Sequence, residues 1–149
     1  MADVVFAGDP LVLKHELIVG QDPIIRTRAF LVKFFPDATI LPEPPEKWLW
    51  DKLLVTVSDV GGAGRFAAVM DDARVMVEVS HPDQLVASEA ARKIYALLIE
   101  WPRFESGVFY RGTVMRPTYQ PDQLTRVPAY AMTVNLFFRG DSVEVSRPA

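Results

Sequence analysis

The side chains able to do chemistry are few and scattered. The 149 residues include two histidines and no cysteine, so disulfides and thiolate metal sites are excluded. His81 stands before Pro82 at the end of an apolar run and reads as a strand-end or helix-start residue. A metal site joining it to Asp71 and Asp72 would call for paired spacings such as H-x-x-x-H or H-x-E, which are lacking. Asp71-Asp72 reads as a turn pair rather than a dyad, and Lys14-His15-Glu16 reads as a polar face. Ser58 and Ser80 fall in strand patterns without the G-x-S-x-G elbow that exposes a nucleophile. The glycines of Gly61-Gly62-Ala63-Gly64 suggest a phosphate cradle, but no Gly-Lys-Ser/Thr follows them and the next element is a strand. Nothing converges as catalysis requires. The expectation is a protein that is not an enzyme and uses no cofactor and no metal.

The elements around these residues are more legible. Lys52–Val60 and Ala73–His81 alternate with period two, Val75, Val77 and Val79 marking one apolar face. From Gln84 the period changes. Ala87, Ala91, Ile94, Leu98 and Trp101 form a helical stripe, opened by Asp83 as cap and closed at Pro102. Asp22-Pro23 opens an earlier helix that carries Phe30, Leu31, Phe34 and Phe35, with Arg26, Arg28 and Lys33 on a basic side and Pro36 at its end. That side is either solvated or a docking face for an acidic partner. A short edge strand, 38–41, precedes a proline-rich break, Pro42-Glu43-Pro44-Pro45, and the pair Trp48 and Trp50. Those tryptophans read as a core lid, or as a protein contact if exposed. Gly107–Met115 and Pro128–Arg139 are further strands, the first placing Val108, Tyr110 and Val114 on one side and the second placing Tyr130, Met132, Val134, Leu136 and Phe138 on one face. A polar connection, 116–127, separates them.

The twelve residues 61–72 form a connection longer than a hairpin needs. They are expected to be a protruding arm, and Gly61, Gly62, Gly64, Arg65, Phe66 and Met70 are its candidate subunit-interface residues. Residues 1–21 are expected to form an N-terminal extension, with a short helix opened by Asp9-Pro10 and running through Ile18, or with Val4, Val5 and Phe6 as a short strand or an arm that packs on a neighbour. Residues 141–149 are expected to be a frayed tail or an arm. The fold class is α+β: a mostly antiparallel sheet of four to five strands with two helices on one face, in the order α-β-β-β-α-β-β. One domain spans 1–149, with its core at about 22–140.

Half of the residues are apolar and 23% are charged, which sustains a core and argues against disorder. The net charge of −3 argues against a dedicated nucleic-acid binder. No stretch reads as a signal peptide or reaches the ~20 apolar residues of a membrane span. Leu54, Val60, Met76, Phe109, Met115 and Phe137 fall on the sheet's second face, where large apolar groups favour association.

The order of motifs resembles the tail terminator, or tail completion, proteins of long-tailed bacteriophages. The resemblance covers about residues 22–140. It rests on Asp22-Pro23, the proline-rich step, the strand ending in Gly61-Gly62, and Asp71-Asp72 leading into Val75–Val79. It continues through the alanine-rich helix 88–98, Pro121-Asp122, and Val127-Pro128-Ala129-Tyr130 entering a strand that ends in Phe138-Arg139. Residues 1–21 and the two tryptophans depart from it. The resemblance implies a structural virion protein of the tail or neck, assembled in the host cytoplasm. It implies a homo-oligomeric ring, usually hexameric, that caps the tail tube protein, ends its polymerisation and offers a surface to the head connector. DNA would pass through the lumen without sequence readout, and no membrane is involved. The rival readings are another neck or head-completion protein, and a small ligand-binding domain or enzyme of α+β type.

Overall fold

The computed structural model describes residues 2–5, 12–48, 51–66 and 69–148. The order is β1 (Ala2–Val5), β2 (Val12–Val19), α1 (Pro23–Val32), β3 (Thr39–Leu41), β4 (Leu54–Asp59), β5 (Gly64–Phe66), β6 (Met70–Ser80), α2 (Gln84–Ile99), a 3-10 turn (Trp101–Arg103), β7 (Val108–Tyr119), β8 (Ala129–Arg139) and β9 (Asp141–Pro148). The class is α+β with a mostly antiparallel sheet. There are more strands than the sequence suggests, in two sheets. The larger has six strands in the order β3-β4-β6-β8-β7, with β5 added beside β6; the smaller has three, β1-β2-β9.

One face of the large sheet carries the core. Val55, Val57, Val75, Val77, Val79, Met132, Val134, Leu136 and Phe138 line it, and Phe30, Leu31, Ala91, Ile94, Leu98 and Trp101 close it from the helices. Both helices therefore share that face. The predicted stripe of α2 is fully buried, and the Asp83 carboxylate accepts from the Leu85 N–H at 2.9 Å. Asp22 caps α1 in the same way, accepting from Ile24 and Ile25. Trp101 stacks on Phe30 at 4.5 Å and meets Phe138 edge-on, which joins the end of α2, α1 and β8.

Several expectations are corrected. Residues 12–19 are a strand, not the end of a helix; Phe6, Asp9 and Pro10 lie outside the described residues. His15, Leu17 and Val19 alternate with Lys14, Glu16 and Ile18, and period two prevails once a partner strand is present. The partner is β9, the expected frayed tail, paired from Val12↔Pro148 to Val19↔Asp141. β3 pairs with β4 in parallel, so the segment between them crosses the face opposite the helices. β7 runs on to Tyr119 through Pro117, which an edge strand tolerates. Register shifts along β7 turn Val114 outward, where the pattern had placed it with Val108 and Tyr110. The basic side of α1 is engaged within the chain. Glu105 takes Lys33 at 2.7 Å and Arg26 at 3.7 Å, while Arg28 donates to the Ile40 carbonyl. This leaves little basic surface for an acidic partner.

Candidate functional site

The expected arm at 61–72 is mostly ladder. Val60 N–H donates to the Arg74 carbonyl and Arg74 N–H to the Gly61 carbonyl, extending the β4–β6 pairing. Pairing resumes at Gly64↔Asp72, Arg65↔Asp71 and Phe66↔Met70. Between the two stretches, Gly62 and Ala63 are an insertion that bends the strand. Gly61, Gly62 and Gly64 all have positive φ, which glycine alone adopts without strain. At Gly62 a side chain has no room either, since a Cβ would lie 2.4 Å from the Asp72 carbonyl oxygen. β4 and β5 are thus one bulged strand against β6.

The described part of the hairpin is tied back to its own chain. The Arg65 guanidinium donates to the Ile18 carbonyl at 2.9 Å and to the Asp71 carboxylate at 3.2 Å. Gly140 N–H donates to the Val69 carbonyl at 2.7 Å. Gln21 donates to the Arg139 carbonyl and the Asp141 carboxylate, fixing the point where β8 passes into β9. Gly61, Gly62, Gly64, Arg65, Phe66 and Met70 are therefore brought together, and their backbone adjoins the root of the small sheet.

That sheet is what the sequence reading missed. Among the described residues, the strands β1, β2 and β9 contact one another far more than they contact the helices or the strands of the larger sheet. Cross-strand partners share a face, so Leu17 and Val143 meet directly, with His15–Val145 and Val19 beside them. Leu17 and Val19 are 47% exposed, Val143 41% and Val145 38%. The other face is polar: Lys14 pairs with Glu144 at 3.2 Å, and the Ser142 hydroxyl donates to Glu16 at 2.6 Å. The result is an amphipathic sheet whose apolar side stays partly exposed among the described residues. The sequence signal was the matched alternation at 13–19 and 142–146, readable only when the two segments are set side by side.

The residues weighed for chemistry stay apart. The His81 Nδ1 accepts from the Asp83 N–H at 2.9 Å, at the start of α2. Asp71 and Asp72 are neither a turn pair nor a dyad. They are successive residues of β6, the first paired with Arg65 and the buried second with Arg111 at 3.1 Å. His15 belongs to the small sheet, and Ser58 and Ser80 to β4 and β6. Among the described residues, no three His, Asp or Glu side chains are placed to hold a metal. Trp48 lies half-buried over the sheet's outer face, and Trp50 lies outside the described residues. Of the outer-face apolar residues, Leu54 is buried, Met76, Met115 and Phe137 are partly covered, and Val60 and Phe109 are exposed. Compared with known proteins, the chain matches no family model and no curated protein.

Proposed function

We propose that this protein is a non-enzymatic, ring-forming structural component of a long-tailed phage virion, acting as a tail terminator. Copies of the chain associate into a ring, hexameric in the reading favoured by the resemblance. The ring caps the tail tube protein, stops its growth and presents a surface to the head connector. DNA passes through the lumen without being read, and assembly takes place in the host cytoplasm. The observation that carries the reading is the β1-β2-β9 sheet with its partly exposed apolar face. A three-stranded sheet needs its greasy side packed to contribute stability, and among the described residues Leu17, Val19, Val143 and Val145 of that side stay 38–47% exposed. A neighbouring copy would supply the cover. The hairpin with Gly61, Gly62, Gly64, Arg65, Phe66 and Met70 lies at the root of the same sheet, so one contact would use both.

The test is electron microscopy of the purified protein, alone and mixed with tail tubes, together with light scattering. Rings that seat on tube ends and halt elongation are expected. A monomer at micromolar concentration that leaves tube length unchanged would sink the assignment.

A further inference from the structure

The face of the large sheet turned away from the helices carries a cavity of about 170 Å³. Leu54 and Thr56 of β4 and Glu78 and Ser80 of β6 form its floor. Pro44, Pro45, Glu46 and Trp48 of the β3–β4 crossover make one wall, and Asp122, Thr125 and Val127 of the β7–β8 loop the other. Register explains the floor: Thr56 pairs with Glu78 and Leu54 with Ser80, so all four point the same way.

Three features of this cavity call for a ligand. Thr56 and Ser80 are 8% and 7% exposed, and among the described residues neither hydroxyl has a hydrogen-bonding partner. Both residues line the cavity, so their hydroxyls are free to pair with a guest. Among the described residues Glu78 makes no ion pair. Burial pushes its carboxyl above the ordinary glutamate range, and the charge of Asp122 pushes it further the same way. Asp122 is itself locked as an acceptor by the N–H groups of Leu124 and Thr125 and is held below the usual aspartate range by them. Lys47 and Arg126 belong to the same two loops but line no part of the cavity, and neither acts on Glu78.

The cavity's size and chemistry select the guest. It is smaller than the ~300 Å³ at which small-molecule and cofactor sites begin. Its acids do not converge as a metal would require. Spaced acceptors beside an aromatic wall suit a planar cation that donates in several directions and lays its stem on apolar surface. We propose that this cavity receives an arginine side chain presented by another protein chain. The guanidinium donates to Glu78 and to the Thr56 and Ser80 hydroxyls, and its methylenes lie against Trp48, Pro44 and Pro45. The inference does not depend on the ring reading, since the pocket lies within one chain.

The experiment is saturation-transfer NMR on the full chain with N-acetyl-arginine methylamide. Its controls are the lysine and norleucine methylamides and free L-arginine. Saturable binding of the arginine amide is expected, at least tenfold weakened in Glu78→Gln and weakened in Thr56→Val. Glu78→Gln removes a half-buried charge that has no ion-pair partner among the described residues and is expected to fold, checked by its melting temperature. Equal signals from the norleucine amide, or undiminished binding in both variants, would overturn the site. Equal binding of the lysine amide would overturn the choice of arginine. Tighter binding of free L-arginine would overturn a protein side chain as the source.

Discussion

Gly62 shows how much a single position decides. Its φ of +113° is one that other residues rarely adopt, and the space for a Cβ is taken by the backbone of β6, with the Arg74 nitrogen at 2.8 Å and the Ala73 Cα at 2.9 Å. Gly61 has a φ of +97° but nothing within 4 Å of its Cβ position. The two neighbours therefore separate conformational strain from collision. Gly61→Ala should cost about 1–2 kcal/mol, the price of a left-handed backbone. Gly62→Ala should cost at least ~2 kcal/mol more, because β5 must move off β6 or the ladder must open. Urea denaturation of both variants measures the difference, and equal costs would show that the bulge yields without resistance. The Gly-rich stretch was visible in the sequence, yet it read as a loop. Glycines report that the backbone does something unusual; they do not say whether a turn or a bulge is the reason.

Among the elements, legibility followed how local the cause was. The α2 stripe, its Asp83 cap and the alternation of β6 and β8 are set within a few residues, and they were read correctly. β2 and β9 were not, because a strand at a chain end is defined by its partner, and these partners lie more than a hundred residues apart. Val114 was misplaced for a related reason: a bulge shifts the phase of every residue beyond it, and periodicity gives no warning. The basic side of α1 required the turn after α2 to be understood. Glu105 is 21% exposed, receives the Trp101 indole N–H at 3.0 Å, and faces Lys33 and Arg26. Burial alone would raise its carboxyl. The hydrogen bonds from Lys33 and Trp101 and the charges of Lys33 and Arg26 outweigh that and hold it below the ordinary 4.5. A depressed folded-state value means that the stabilisation is present above the unfolded value and is lost as pH falls through the folded one. Glu105→Gln should therefore lower stability at pH 7 by about 1.5–3 kcal/mol, in the range of hydrogen bonds to charged groups. The deficit should shrink below pH 4.5 and close in stronger acid. Denaturant curves across that range check it, and a deficit independent of pH would show that shape, not charge, holds the turn to α1.

At the scale of the whole molecule, the two sheets play different parts. The large sheet is closed on one side by both helices and partly covered on the other by the crossover and the β7–β8 loop, so its stability is its own. The small sheet is tied to that body at its root, through Arg65, Gln21 and Gly140, and among the described residues its apolar side stays partly exposed. An edge strand such as β9 also offers unpaired backbone groups to a neighbour. If identical copies cover this surface, the contact must be lost when its centre is charged, while the body stays folded. Leu17→Lys and Val143→Lys place a cation on each member of one cross-strand pair. Either should convert the oligomer to monomer in sedimentation, with the melting of the core changed by less than ~1 kcal/mol, as expected for an exposed site. Together they put like charges directly opposite one another and should open the small sheet itself. Faster amide exchange along Val12–Val19 would report that opening, with protection in β6 and β8 unaltered. An oligomer that survives both single substitutions would move the subunit contact away from this sheet, toward the exposed residues of the large one such as Phe109.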